Sequence, residues 1–165
     1  MARRSIIAVV LIVLAVAGYV LWHGRQSDER KIRTALTSLA GEFNASTTDG
    51  VGTVARAAQL GSYFSDDVVV DLGPGTLPIE RRDTLIGMAA RLQPRTSAFR
   101  VALDDVDVRM AEGNHDADVT LTVSFIRRSI ATGEQSIDAR EFALVMTQSG
   151  GTWRIARATA VDTLR

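Results

Sequence analysis

The chain has 165 residues, enough for one domain and a short additional segment. It carries 19 basic residues, 19 acidic residues and no cysteine, which excludes disulfides, thiolate metal sites and cysteine nucleophiles. Without Arg3 and Arg4, which precede an apolar segment, 17 basic and 19 acidic residues remain. The rest of the chain is therefore weakly acidic, and its charge does not indicate a partner among the nucleic acids.

Residues 6–22 (IIAVVLIVLAVAGYVLW) form an apolar run without a charged residue. As a helix the run would be roughly 25 Å long, close to the thickness of about 30 Å of a bilayer hydrocarbon core. The pattern predicts a tail and transmembrane anchor over residues 1–24 and a globular domain over residues 25–165. A cleaved signal peptide is the alternative, but the run ends at Trp22 and His23 rather than at the small residues of a cleavage site.

The basic residues on the two sides of this run give conflicting indications of its orientation. Arg3 and Arg4 adjoin the run directly and favour a cytoplasmic N-terminus. Four basic residues follow the run, namely Arg25, Arg30, Lys31 and Arg33. Because they outnumber the two before it, a plain count of basic residues would keep the domain in the cytoplasm. We expect a single-pass protein of the cell membrane with its domain on the extracytoplasmic side, and the cytoplasmic side is the alternative.

Three helices are predicted in the first half of the domain. The first begins after a cap at Ser27 or Asp28, and its apolar residues recur at helical spacing: Ile32, Leu36, Leu39 and Phe43. A second helix is predicted over about residues 53–63. A third is predicted over about residues 82–92 and ends before Pro94.

Strands are predicted for most of the remainder. The first covers residues 67–72, and the next covers residues 98–110, where the apolar alternation changes phase at Asp104 and Asp105. Such a change of phase is typical of a β-bulge. Three more strands are predicted around residues 119–125, 142–146 and 152–163. The order of helix, helix, strand, helix and four antiparallel strands predicts an α+β fold with an apolar, half-open cone.

Three segments of this domain resemble the nuclear transport factor 2-like, or SnoaL-like, superfamily. They are residues 63–71 (YFSDDVVVD), residues 121–125 (LTVSF) and residues 151–157 (GTWRIAR). The resemblance covers about residues 27–165 and implies a cone-shaped half-barrel, in which a curved antiparallel sheet wraps on three helices. It implies little about function, because this fold hosts enzymes, ligand carriers and assembly modules.

Ketosteroid isomerase, an enzyme of this superfamily, uses two aspartates, and the resemblance places their positions at Leu72 and Arg140. Leucine cannot accept a proton, and arginine stays charged, so this chemistry is disfavoured. The dehydratases of the superfamily imply a histidine–aspartate pair inside the cone. The two histidines of this chain, His23 and His115, lie instead at the predicted membrane boundary and in a predicted turn.

Two function classes follow from these observations. The leading hypothesis is a membrane-tethered, non-catalytic domain that binds a partner protein (a second copy of the chain or an envelope protein) or a small apolar ligand. The alternative is an isomerase-, dehydratase- or hydrolase-like enzyme that acts on a hydrophobic substrate in the cone. It would involve Arg140 or the weak catalytic candidates Tyr63 and Asp71. No metal site and no cofactor is predicted.

A ligand pocket is predicted on the inner face of the sheet. Its candidate residues are Phe64, Leu72, Phe99, Leu121, Val123, Phe125, Arg127, Arg140 and Phe142. Strand alternation puts Arg140 on the face of Phe142, and Arg127 on the face of Phe125. Two explanations remain open for these arginines. They pair with carboxylates such as Asp138 or Glu141 at the rim, or they form an anion-binding mouth that suits a carboxylated apolar ligand.

Overall fold

The structure is a computed structural model that describes residues 26–45, 50–91, 97–113, 115–129 and 132–161. The predicted membrane anchor lies outside these ranges. Among the helices that the structure does describe, none combines the length and the apolar character that crossing a bilayer requires.

The described residues form three helices and six strands. Helix α1 covers residues 26–44, α2 covers Gly50–Gly61 and α3 covers Arg82–Arg91. The strands are β1 (Phe64–Asp71), β2 (Ile79–Glu80), β3 (Ser97–Met110), β4 (Asp116–Ser129), β5 (Gln135–Ser149) and β6 (Thr152–Ala160). The predicted α+β class, with a curved sheet and three helices, is confirmed.

The strands form one sheet in the order β2-β1-β6-β5-β4-β3. Strands β3 to β6 follow one another as antiparallel neighbours. Strand β1, however, pairs in parallel with β6, so that Val70 lies opposite Ala158. The prediction of a purely antiparallel sheet was therefore wrong, because the direction of β1 is set by pairing with a strand that is distant in sequence. The two-residue strand β2, in which Ile79 lies opposite Val70, was not predicted.

The predicted bulge in β3 is confirmed. The register with β4 shifts between Asp104, which faces Thr122, and Asp107, which faces Thr120. Three steps along β3 therefore match two steps along β4, and Asp105 takes a left-handed backbone conformation with φ 52°. Because of this extra residue, the apolar side chains before and after it lie on the same face of the sheet.

Helix α1 packs its apolar stripe on the inner face of the sheet. Ile32 and Leu36 are buried in the core, and Leu39 is half-buried against it. Phe43, predicted to face inward with them, is exposed, because the last turn of α1 lies at the sheet's margin, over the edge strand β3. The helix already includes residue 26, so neither Ser27 nor Asp28 caps it.

Candidate functional site

The inner face of the sheet is closed at one end and open at the other. Along β5, Met146, Leu144 and Phe142 are 1%, 7% and 9% exposed, whereas the side chain of Arg140 on the same face is 55% exposed. The packing therefore ends just above Phe142. We call the open part of this face the mouth, defined by Val123, Phe125, Arg127, Asp138 and Arg140.

The closed end is filled by side chains. Ile32 and Val68 are completely buried, and Val119 and Met146 are 1% exposed. Every residue that is buried in the described ranges is apolar. The space that a ligand could enter on the inner face therefore lies toward the mouth.

The β4–β5 pairing brings the residues of the mouth together. Arg140 lies opposite Val123, Asp138 lies opposite Phe125, and Ser136 lies opposite Arg127. Val123 and Phe125 are half-buried, so they form an apolar floor. The charged groups of Arg127, Asp138 and Arg140 are exposed above this floor.

Arg140 makes a weak contact with one acidic residue of the mouth, Asp138. Its Nε lies 3.9 Å from Oδ2 of Asp138, and the two side chains are 55% and 68% exposed. A solvated pair of this kind contributes about 0–1 kcal/mol. Glu141, the other predicted partner, lies on the opposite face of β5 by strand alternation. Asp138 therefore neutralises Arg140 only in part.

Arg127 is the second guanidinium group of the mouth. It is exposed and lies opposite Phe99 in β3 and Ser136 in β5. Among the described residues, Arg127 makes no hydrogen bond or ion pair. Its neighbour Arg128 is also exposed and points to the other face of the sheet. The mouth thus combines an apolar floor with two solvated guanidinium groups.

The other predicted pocket residues lie at different depths, except that the side chain of Phe99 is outside the part of the chain that the structure describes. Leu121 and Phe142 are buried in the core directly below the mouth, and Phe64 packs against that core from β1. Leu72 follows the end of β1 and is 37% exposed. Only part of the predicted set is therefore available to a ligand at the mouth.

Sequence reasoning missed one residue beside the mouth. Val101 lies opposite Phe125 on β3 and is 7% exposed, so it supports the apolar floor. The signal was present, because Val101 alternates with Phe99 and Leu103 at the spacing of one strand face.

The two weak catalytic candidates do not come together. Tyr63 precedes β1 and Asp71 ends it, which separates them by roughly 25 Å of extended chain. The backbone carbonyl of Tyr63 accepts a hydrogen bond from the Ile155 amide at 2.8 Å. Oδ1 of Asp71 accepts one from the Gly73 amide at 2.9 Å. Both contacts are typical of residues that hold a strand end or a turn in place.

Of the two histidines, His115 lies in a turn, and His23 lies outside the described residues. The backbone carbonyl of His115, in the β3–β4 connection, accepts a hydrogen bond from the Gln148 amide at 2.7 Å. Within the part of the chain that the structure describes, no three His, Asp or Glu residues converge as metal ligands would.

No protein-family model and no curated protein matches the sequence. Solved structures do match the fold. A scytalone dehydratase-like protein from Novosphingobium aromaticivorans superposes with a TM-score of 0.69 at 13% identity, over 86% of this chain and 87% of that one. ActVI-ORFA from Streptomyces coelicolor gives a TM-score of 0.66 at 9% identity, over 82% and 96%.

A third match has a different description. A calcium/calmodulin-dependent protein kinase II association domain from Xanthomonas campestris gives a TM-score of 0.61 at 12% identity, over 82% of this chain and 89% of that one. At such identities the likeness shows the fold alone. That fold is the nuclear transport factor 2-like, or SnoaL-like, architecture, and it agrees with the resemblance of the three sequence segments.

Proposed function

We propose that this chain is a membrane-tethered, non-catalytic binding domain whose mouth takes a small apolar ligand that carries a carboxylate. One observation carries the proposal: the half-buried Val123 and Phe125 lie on the same sheet face as the exposed Arg127 and Arg140. The apolar floor contacts the hydrocarbon part of the ligand, and the guanidinium groups bind its anionic end.

Arginine suits this role because its planar guanidinium donates two parallel hydrogen bonds to one carboxylate. Arg127 is available without losing a partner among the described residues. Arg140 gives up only a solvated contact with Asp138, and breaking such a contact costs little. Each Å² of apolar ligand surface that leaves water adds about 25 cal/mol. The carboxylate then fixes the orientation of the ligand, and the floor supplies most of its affinity.

The packing of the cone favours binding over catalysis. Its closed end is filled by apolar side chains, and Tyr63 and Asp71 lie at opposite ends of β1. General acid–base catalysis needs titratable groups within hydrogen-bonding reach of one substrate. The Novosphingobium neighbour is described as scytalone dehydratase-like, and that description concerns its own chemistry.

Residues 6–22 support the membrane tether in this proposal. Their 17 uncharged positions suit a single transmembrane helix, and Arg3 and Arg4 favour export of the domain. A domain held at the extracytoplasmic surface would meet amphiphilic carboxylates where they leave or enter the bilayer. A second copy of the chain or an envelope protein would be a natural recipient of the ligand.

The proposal is tested by comparing two ligands that differ only in their polar end. A fragment beginning at Gln26, first shown to unfold cooperatively, is titrated with decanoate and with decanol by calorimetry. Decanoate should bind saturably and decanol at least about tenfold more weakly, because the alcohol forms no charge-assisted pair with an arginine. Equal binding of the two would remove the carboxylate from the proposal. Conversion of a hydroxylated substrate to its dehydrated product by the purified protein would favour an enzyme instead.

A further inference from the structure

A second concavity lies at the other end of the domain. It is formed by the start of α1, the junction between α2 and β1, and the turn between β5 and β6. It has a volume of about 610 Å³ and is open to solvent. We call it the α1 groove. The mouth lies near the first half of β5 and the α1 groove near its last residue, so the two are separate sites.

The lining of the α1 groove is basic and rich in hydroxyl groups. Arg30 and Lys31 supply two cations. Five further lining residues carry a hydroxyl group: Ser27, Thr34, Ser62, Tyr63 and Thr152. No Asp or Glu lines the groove, although acidic residues outnumber basic ones once Arg3 and Arg4 are set aside. The lining itself is therefore cationic, which suits an anion, although Asp28 pairs with Lys31 from beside the groove.

Trp153 supplies an unused hydrogen-bond donor beside this groove. The residue lines the groove, and it is only 3% exposed. Its indole Nε1 is buried and has no acceptor in the described part of the chain. Buried donors in proteins are nearly always paired. An oxygen-rich ligand seated in the groove could provide the missing acceptor after a small shift of the indole.

The position of the groove relates it to the predicted membrane anchor. Five residues take the chain from Trp22, the end of the apolar run, to Ser27 in the lining. Even a fully extended chain of that length reaches no more than about 18 Å. If residues 6–22 cross a bilayer, the α1 groove lies within reach of the lipid headgroups.

We propose that the α1 groove binds a phosphate-bearing group, either the headgroup of an anionic phospholipid or a soluble phosphate ester. Arg30 and Lys31 pair with the phosphate, and the indole N–H and the hydroxyl groups of Ser27, Tyr63 and Thr152 donate to its oxygens. The hydroxyl groups of Thr34 and Ser62 already donate to the carbonyls of Arg30 and Gln59. The ligand competes with Asp28, which lies 2.8 Å from Nζ of Lys31. This site does not depend on the proposed function of the mouth.

The test uses the fluorescence of Trp153 in the full-length chain. The sequence has two tryptophans, so the Trp22→Phe variant leaves Trp153 as the only reporter. This variant, in a non-ionic detergent, is titrated with dihexanoyl phosphatidylglycerol, with dihexanoyl phosphatidylcholine and with glycerol 1-phosphate. Phosphatidylglycerol should change the emission saturably, and phosphatidylcholine should bind at least about tenfold more weakly, because its headgroup carries no net charge.

Matched charge variants test the two cations. In the same background, Arg30→Gln with Lys31→Gln should weaken phosphatidylglycerol binding about tenfold or more, whereas Arg109→Gln with Arg128→Gln should not. The control pair removes the same charge from exposed positions of β3 and β4. Circular dichroism checks that both variants remain folded.

The outcomes separate the sources of the phosphate. A response to phosphatidylglycerol alone supports a lipid headgroup, and an equal response to glycerol 1-phosphate supports a soluble ester. A response to neither phosphatidylglycerol nor glycerol 1-phosphate, equal binding of phosphatidylcholine, or an equal effect of the two charge variants would overturn the proposal.

Discussion

The side chain of Asn44 makes two hydrogen bonds to the backbone of Val101, which is 57 positions further along the chain. Its Nδ2 donates to the Val101 carbonyl at 2.7 Å, and its Oδ1 accepts from the Val101 amide at 2.6 Å. Val101 belongs to β3, an edge strand whose outer backbone groups have no neighbouring strand in the sheet. Asn44 therefore satisfies the edge of the sheet and fixes the end of α1 beside the mouth.

Asn44→Ala should lower the free energy of unfolding by about 1–3 kcal/mol, because both backbone groups of Val101 lose their partner in a half-buried place. Thr37→Ala is the matched control, since the Thr37 hydroxyl bonds only to the Arg33 carbonyl within α1. The control should change stability by less than about 0.5 kcal/mol. Urea unfolding of both variants measures the difference, and equal losses would contradict the role of Asn44.

Substitutions at Asp105, whose φ is 52°, test the bulge in β3 through their effect on stability. A β-branched residue tolerates this left-handed conformation poorly, so Asp105→Val should cost about 1–2 kcal/mol. Glycine adopts the conformation freely, so Asp105→Gly should be neutral or stabilising by up to about 1 kcal/mol. Asp104→Val, on the neighbouring residue, loses only an exposed hydrogen bond from Ser124 at 3.2 Å and should change stability by less than about 0.5 kcal/mol. If Asp104→Val and Asp105→Val lower the thermal unfolding temperature equally, the left-handed residue of the bulge is not Asp105.

The contact between α2 and α3 depends on Gly61. A Cβ atom at this position would collide with Cδ1 of Ile86. Because the end of the Ile86 side chain can turn aside, Gly61→Ala should destabilise the domain by about 1 kcal/mol, the lower end of the cost of overpacking. The loss should shrink when Ile86→Val removes the colliding methyl group, and a double-mutant cycle measures that coupling. Gly87→Ala, where a Cβ meets nothing within 4 Å, should instead stabilise α3 by up to about 1 kcal/mol. A cycle without coupling would contradict the packing of these helices.

The proposed membrane tether leads to one prediction about a fragment and one about the full-length chain. A fragment beginning at Gln26 should be soluble and cooperatively folded, because α1 and the sheet bury a core of their own. Aggregation of this fragment, with the full-length chain well behaved in detergent, would mean that residues before Gln26 complete the fold.

Protease added to intact spheroplasts should digest the domain while cytoplasmic marker proteins survive. Protection until the membrane is permeabilised would place the domain in the cytoplasm.

Local sequence patterns were sufficient to predict those elements, such as the bulge in β3, whose position is set by their own side chains. The phase change at Asp104 and Asp105 predicted the bulge, since alternation reports directly on which face a residue occupies. The parallel pairing of β1 with β6 could not be predicted in this way, because Val70 and Ala158 meet only after the intervening strands have paired. The two residues of β2 are too few to show any period.

For the candidate site too, some features could be predicted from the sequence and others could not. The period of two placed Arg127 and Arg140 on the face of the apolar floor, and the β4–β5 register agrees with it. Burial was harder to predict, because it depends on where the helices stop covering the sheet. Phe43 and Leu72 fit the apolar pattern, yet both are 37% exposed. The α1 groove could not be predicted, since three segments distant in sequence form it.

The comparison of Arg127→Leu with Arg128→Leu tests the proposed binding mouth most directly. The two arginines are adjacent in β4, both are exposed, and they point to opposite faces of the sheet. Decanoate titrations of the fragment beginning at Gln26 should show about tenfold or greater weakening for Arg127→Leu, because a charge-assisted pair is lost. Arg128→Leu should bind as the unsubstituted fragment does. Equal weakening by both variants, or by neither, would contradict a carboxylate site at the mouth.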